Sequence, residues 1–259
     1  MNYELIETPS DDIVSIRLIN KSSYFRPSAT GRRTDLDSLI MKAKSEEYED
    51  KNAGLINFKY FSSAAHYDKQ ISLKNAINEG IERMSVDLWW KYNRPANYYI
   101  DEIDGQIPTK YFSLKKGYDI RVMKIHNVSG EGFCCVAILS NQEIFPYYVL
   151  GSSYEESPEQ AVIKSCHEAL QSWAATKWLI NITSFNTPYW DYSELRRRLS
   201  NPVKSENQFP KVGSQDIFSK MKIINDQGTF ISYINIGDGM VDNLILSSEH
   251  IVTYSESNF

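Results

Sequence analysis

The 259-residue sequence predicts an α+β protein. Three observations carry that expectation. Two long runs, Ser72–Tyr92 and Glu159–Leu179, place apolar residues at helical spacing, as at Ile77, Ile81, Met84 and Leu88. Several shorter runs, among them Phe133–Leu139 (FCCVAIL) and Phe230–Asn235, have the length and composition of strands. The two kinds alternate irregularly rather than as repeated βα units, which disfavours a doubly wound sheet.

In chain order, residues 1–34 read as irregular, with one strand near Ile13–Ile19 and a basic turn at Arg26–Arg33 (RPSATGRR). Leu36–Glu49 reads as a surface helix that grows very polar toward SEEYED, and Leu55–Ser62 as a strand. Asn93-Arg94-Pro95 ends the first long helix. Strands are expected at Asn97–Glu102 and Asp119–His126, with turns at Asp104-Gly105 and Lys116-Gly117. Phe133–Leu139 and Ile144–Leu150 read as a hairpin about Ser140-Asn141, followed by a polar loop, Gly151–Ser157. Ser157 is placed to cap the second long helix, with Pro158 in its first position. A short helix near Tyr192–Leu199 and a last strand at Leu244–Leu246 complete the reading as one domain, 1–259.

The composition, 42% hydrophobic and 24% charged with a net charge of −5, is that of a globular protein. It offers no concentrated basic surface for nucleic acid, since Arg196–Arg198 reads as a solvated helix face. No apolar run reaches the ~18–20 residues that cross a bilayer, and the acidic N-terminus does not read as a secretory signal. Cys134, Cys135 and Cys166 have neither disulfide-framework nor zinc-ligand spacing, and are expected as reduced core residues of a cytoplasmic protein. Phosphate-loop, dinucleotide, nucleophile-elbow and zinc-protease motifs are absent.

Chemistry concentrates in NAINEGIER (Asn75–Arg83) and KSCHEALQ (Lys164–Gln171). Glu79 and Glu82 are three positions apart and share a helix face, as do Glu168 and Gln171. Carboxylates presented by two helices toward one cleft can hold a divalent cation. Taken alone, the same residues also fit a solvated face with a Glu79–Arg83 pair, and His167 fits a partly buried histidine. The pairs stand at one offset along the chain, which raises an internal duplication of about 55–100 and 130–180.

The segments KQISLKNAINEGIERMS and GSSYEESPEQAVIKSCHEALQSW resemble, in order and context, the two helix signatures of the YcaO superfamily. The resemblance implies a YcaO-like α+β fold with mixed sheets and two long helices facing a nucleotide cleft. It further implies ATP and Mg²⁺ as cofactors, with Glu79, Glu82 and Glu168 as metal ligands. Asn75, Ser72, Arg83 and Gln171 are then expected to bind the nucleotide. The implied activity is amide activation in a ribosomally made peptide, giving azolines, or thioamides with a TfuA-like partner. The implied partners are a precursor peptide and a TfuA-like or E1-like protein, with a homodimer allowed. Asn75 stands where the family has serine, Ser62–His66 replaces its lysine-bearing loop (leaving Lys59 or Lys69 to supply the cation), and no arginine follows Gln171. These departures keep open a catalytically degenerate subunit that binds a precursor or partner. A third reading is an unrelated binding protein whose aromatic pairs, Trp89-Trp90 and Trp173/Trp178, form an interaction surface.

Overall fold

The computed structural model describes residues 2–19, 29–56, 61–92, 96–98, 111, 113–144, 146–183 and 220–236. Near the N-terminus, β1 (Tyr3–Glu7), β2 (Ile13–Leu18) and β3 (Ala29–Arg32) form one antiparallel sheet. Helix α1 (Leu36–Asn52) packs Leu39 and Ala43 on Val14, Ile16 and Ala29 of that sheet. The expectation of a single strand in this region is therefore corrected. Both β1 and β3 are short edge strands, and β1 shows water alternate side chains, so neither produces a strong apolar pattern.

A short 3₁₀ turn, Ala53–Leu55, follows α1, and β4 runs from Phe61 to His66. The strand expected at Leu55–Ser62 thus lies some six residues later. It pairs with β10 (Thr229–Asn235), which pairs in turn with β9 (Lys220–Asp226), all antiparallel. Helix α2 then spans Lys69–Tyr92. It opens three residues before Ser72 because the Asp68 carboxylate accepts from the Gln70 and Ile71 amides at 2.7 and 3.1 Å.

The third sheet has the order β5 (Ala96–Tyr98), β6 (Asp119–Ile125), β7 (Phe133–Ser140), β8 (Tyr148–Glu155). Helix α3 (Pro158–Thr183) covers one face with Ala161, Val162, Cys166, Ala169 and Leu170, and α2 covers the other with Ile81, Met84, Leu88 and Trp89. This sandwich explains the unbroken apolar run of β7, whose Cys134, Val136 and Ile138 face α2 while Cys135, Ala137 and Leu139 face α3. All three cysteines are buried and free, as expected. Every described pairing is antiparallel, so the sheets are antiparallel where mixed ones were expected.

The hairpin partner of β7 is Tyr148–Glu155, not Ile144–Leu150. The polar-looking stretch GSSYE is strand because its small residues lie under α3, with Gly151 and Ser153 buried. At Gly151 a Cβ would stand 2.1 Å from the Ala169 nitrogen and 2.3 Å from the Ser165 carbonyl oxygen. Only glycine permits that approach. The expected elements at Tyr192–Leu199 and Leu244–Leu246 lie outside the described residues, as does most of Asn97–Glu102.

The three helices share a register that positions the site. Each follows a strand by a short turn, and Glu46, Glu79 and Glu168 are each the eleventh residue of their helix. Glu49, Glu82 and Gln171 are each the fourteenth. For α2 and α3 the correspondence extends into the strands. Ser72 Oγ donates to the Ala64 carbonyl at 2.7 Å, and Ser153 Oγ donates to the Ala161 carbonyl at 3.1 Å. These two Ser–Ala pairs stand 89 positions apart, the spacing between Glu79 and Glu168, with serine on the helix in one and on the strand in the other.

Candidate functional site

Carboxylates from three helices gather beside β4 and β8. Glu79 accepts from the Ser63 backbone N–H at 2.8 Å through Oε2, and its Oε1 is paired with Arg83. Glu82 accepts from Ser152 Oγ at 2.6 Å. Glu49 of α1 accepts from Ser63 Oγ at 2.6 Å. Glu168 of α3 lies 3.7 Å from Lys42 Nζ. Ser63 and Ser152, which hold carboxylates from the two strands, are again 89 positions apart.

The electrostatics mark these groups as one cluster. Burial pushes the Glu82 carboxyl up to about 7, with Glu168 and Glu79 adding repulsion against the Ser152 hydrogen bond. Glu46 is pushed up to about 7 by the protein packed about it, with Glu168, Glu79 and Asp50 adding repulsion and Lys42 opposing. Glu46 is nonetheless exposed to solvent, at the surface edge of the group. Glu49 is held well above the ordinary carboxylate range by burial and by Glu46, and Glu79 is raised by burial against the pull of Arg83.

A stability profile follows. These carboxyls bind protons more tightly folded than unfolded, so between their ordinary value of 4.5 and about 7 the native state carries more protons. Stability from them is present at low pH and declines as pH rises through that window. His167 opposes this below 6.5, because burial and then Lys42 and Arg32 lower it to about 4. One histidine stands against four carboxyls, so denaturant melts of the metal-free chain are expected to show lower stability at pH 8 than at pH 5.5.

Among the residues singled out from sequence, Glu79, Glu82 and Glu168 are brought together. Arg83 is at the same place, on Glu79. Gln171 lies one turn beyond Glu168, and its Oε1 is buried without a hydrogen-bond partner. Asn75 is exposed one turn before Glu79. Ser72 is not in the cluster: it is fully buried between α2 and β10, bonded to the Ala64 carbonyl and to Ser232 Oγ at 2.8 Å. Lys69 opens α2, ten residues or ~15 Å of helix from Glu79, and Lys59 lies outside the described residues. The lysine beside the carboxylates is Lys42 of α1 instead. Trp89 and Trp178 are buried, the latter under the Arg17 guanidinium at 4.3 Å, while Trp90 is exposed and Trp173 partly buried, so one member of each pair serves packing.

Sequence reasoning passed over Glu46, Glu49, Lys42, Ser63 and Ser152. The three-residue spacing of Glu46 and Glu49, repeated in α2 and α3, was the available signal. All the donors are hard oxygens, the set a Mg²⁺ ion takes. Among the described residues no three of them yet converge at ligand distance. Glu79 is paired with Arg83 and Glu168 with Lys42 in this arrangement.

No protein-family model matches the chain, and no curated protein sequence matches it. Solved structures do. The E. coli microcin synthetase McbBCD complex matches 72% of this chain and 56% of its own, at 14% identity and a TM-score of 0.48. The McbBCD complex with pro-MccB17 bound matches 90% of this chain and 86% of its own, at 12% identity and a TM-score of 0.55. YcaO from Methanopyrus kandleri, bound with AMPPCP and Mg²⁺, matches 95% of this chain and 90% of its own, at 10% identity and a TM-score of 0.62. Three packed strand–helix layers, antiparallel sheets and this likeness over nearly the whole chain establish that the protein has a YcaO-like α+β fold.

Proposed function

We propose that this chain binds Mg²⁺ and ATP at the carboxylate cluster and activates backbone amides of a ribosomally made precursor peptide. The observation that carries the reading is that Glu79, Glu82 and Glu168, from α2 and α3, lie close enough to repel one another. It occurs on the fold of a YcaO protein determined with AMPPCP and Mg²⁺. Carboxyls such as Glu79 and Glu82, raised first by burial and then by neighbouring negative charge, are an unfavourable arrangement that a divalent cation relieves. The unpartnered Gln171 Oε1 gives a further acceptor facing a ligand or metal-bound water.

Glu79, Glu82 and Glu168 would hold Mg²⁺, directly or through water. Arg83, released as Glu79 turns to the cation, would meet phosphate, and Lys42 stands ready on the opposite side at Glu168. Ser152 fixes one oxygen of Glu82 and leaves the other to ligate. Bound Mg²⁺–ATP would supply a phosphoryl group to the amide oxygen, turning a poor leaving group into a good one after Cys, Ser or Thr attack. The product is an azoline, or a thioamide where a TfuA-like partner and a sulfur source act with the chain. The McbBCD complex holds pro-MccB17, which supports a precursor peptide and partner proteins for this chain as well. The strand–helix register that α2 shares with α3 supports an origin of the two units by internal duplication within one domain.

Saturating Mg²⁺ and ATP are expected to raise the melting temperature, since a ligand at 100 times its Kd stabilises by about 2.7 kcal/mol. No shift at millimolar Mg²⁺–ATP would remove this reading. A second reading is a degenerate subunit that binds a precursor or partner without turnover. It is favoured by Ser63-Ala64-Ala65 standing in place of the lysine-bearing loop. ATP turnover that vanishes in Glu79→Gln and Glu168→Gln would eliminate it.

A further inference from the structure

We propose that Glu49, on α1, is a positioning residue for Glu79 and acts through Ser63 at the free edge of β4. The proposal rests on the reading of Glu79 as a cation ligand. Among the described residues β4 is the outer strand of its sheet, and no described strand pairs with the N–H groups on its far side. Two helices supply carboxylates in place of a strand. The Ser63 N–H donates to Glu79 Oε2 at 2.8 Å, and the Ala65 backbone amide favours the ionised Glu49 carboxylate against its burial. Ser63 then ties the two together, because its hydroxyl donates to Glu49 Oε2 at 2.6 Å while its amide holds Glu79.

The result is a relay of fixed geometry: α1 carboxylate, Ser63 hydroxyl, Ser63 amide, α2 carboxylate. One oxygen of Glu79 is pinned to the strand. The other, now paired with Arg83, is free to turn. Glu49 itself is anchored at its backbone, where the Tyr233 hydroxyl donates to the Glu49 carbonyl at 2.6 Å. The Ser63 hydroxyl holds Glu49 at β4 against the repulsion of Glu46 and Glu79. Glu49 also occupies, on α1, the helical position that Glu82 occupies on α2 and Gln171 on α3. Those two are residues of the proposed nucleotide site, so α1 enters that site as its third arm.

The test titrates Mg²⁺ into the full chain at fixed AMPPCP by calorimetry, and measures amide hydrogen exchange of Ser63 without metal. Glu49→Ala and Ser63→Ala are each expected to raise the half-saturating Mg²⁺ concentration about tenfold, the usual effect of losing a residue that orients a ligand. The double variant should be no worse than either single one, because both break the same relay. Glu49→Gln and Ser63→Thr keep the acceptor and the hydroxyl, and should stay within about threefold of the parent chain. Ser63 exchange should quicken about tenfold in Glu49→Ala relative to the β4 amides bonded to β10, and not in Glu49→Gln.

Unchanged Mg²⁺ uptake and unchanged Ser63 exchange in Glu49→Ala would overturn the proposal. So would a Glu49→Gln variant as impaired as Glu49→Ala, which would make Glu49 a direct ligand. A parent chain that takes up no Mg²⁺–AMPPCP while Ser63 exchange still follows Glu49 would sink the nucleotide reading and leave the hold of Glu49 on Glu79 standing.

Discussion

Glu82→Gln is expected to abolish stabilisation of the chain by Mg²⁺ and ATP while leaving the unliganded protein at least as stable as before. The two halves have different causes. Burial and the neighbouring Glu168 and Glu79 charges oppose ionisation of Glu82 strongly enough to push its carboxyl up to about 7. Glutamine removes the charge that the fold resists, and its side-chain oxygen still accepts from Ser152 Oγ. Unliganded stability should therefore hold or rise at pH 8, and the loss of stability between pH 5.5 and pH 8 should shrink. The ligand side moves the other way. An amide oxygen is a far weaker Mg²⁺ donor than a carboxylate, and Glu82 has its second oxygen uncommitted among the described contacts. A loss of about 100-fold in Mg²⁺–ATP affinity, ~2.7 kcal/mol, is expected. Calorimetric titration of the two proteins side by side measures both terms. A variant that binds Mg²⁺–ATP like the parent would show that Glu82 is a buried structural carboxyl and remove it from the proposed site.

The parts of this fold that were legible in sequence are those whose periodicity reports burial. Helices α2 and α3 carry clean apolar stripes because each packs on a face of one sheet, and β7 is apolar throughout because that sheet is covered on both faces. Strand β8 was hidden because two of its buried positions are the small residues Gly151 and Ser153, the former approached by α3 too closely for any side chain. The edge strands β1 and β3 offer too few buried positions for a pattern. In the site, the pairs on α2 and α3 stood out against their apolar stripes. The pair on α1 did not: SEEYED is polar all round, and nothing local reveals that Glu49 turns toward β4. That contact depends on long-range packing of α1 against β4. Ser72 failed for the converse reason. Its place one turn ahead of Asn75 fits a ligand contact in sequence, but the side chain is taken by the β4–α2–β10 junction.

Gly151→Ala is expected to be the most damaging single-methyl change in the described chain. The added Cβ would lie 2.1 Å from the Ala169 nitrogen, 2.3 Å from the Ser165 carbonyl oxygen and 2.6 Å from the Glu168 carbonyl carbon. All three are backbone atoms of α3, so no side chain can swing aside, and the helix or the strand must move. Inserting a methylene where side chains can adjust already costs about 1–3 kcal/mol, and a clash with helix backbone should exceed that range. Any relaxation lifts the very turn of α3 that carries Glu168, and it acts on the strand that presents Ser152 to Glu82. Stability and Mg²⁺–ATP binding should therefore fall together, unlike in Glu82→Gln, where they part. Gly54→Ala is the control: nothing lies within 4 Å of the new methyl, and the residue sits in the 3₁₀ turn after α1. It should be neutral to within about 0.5 kcal/mol. Denaturant melts of the two variants at one pH decide the matter. A Gly151→Ala chain with the melting behaviour of Gly54→Ala would mean that β8 and α3 are not in close backbone contact, and with it would go the placement of Glu168 opposite Glu82.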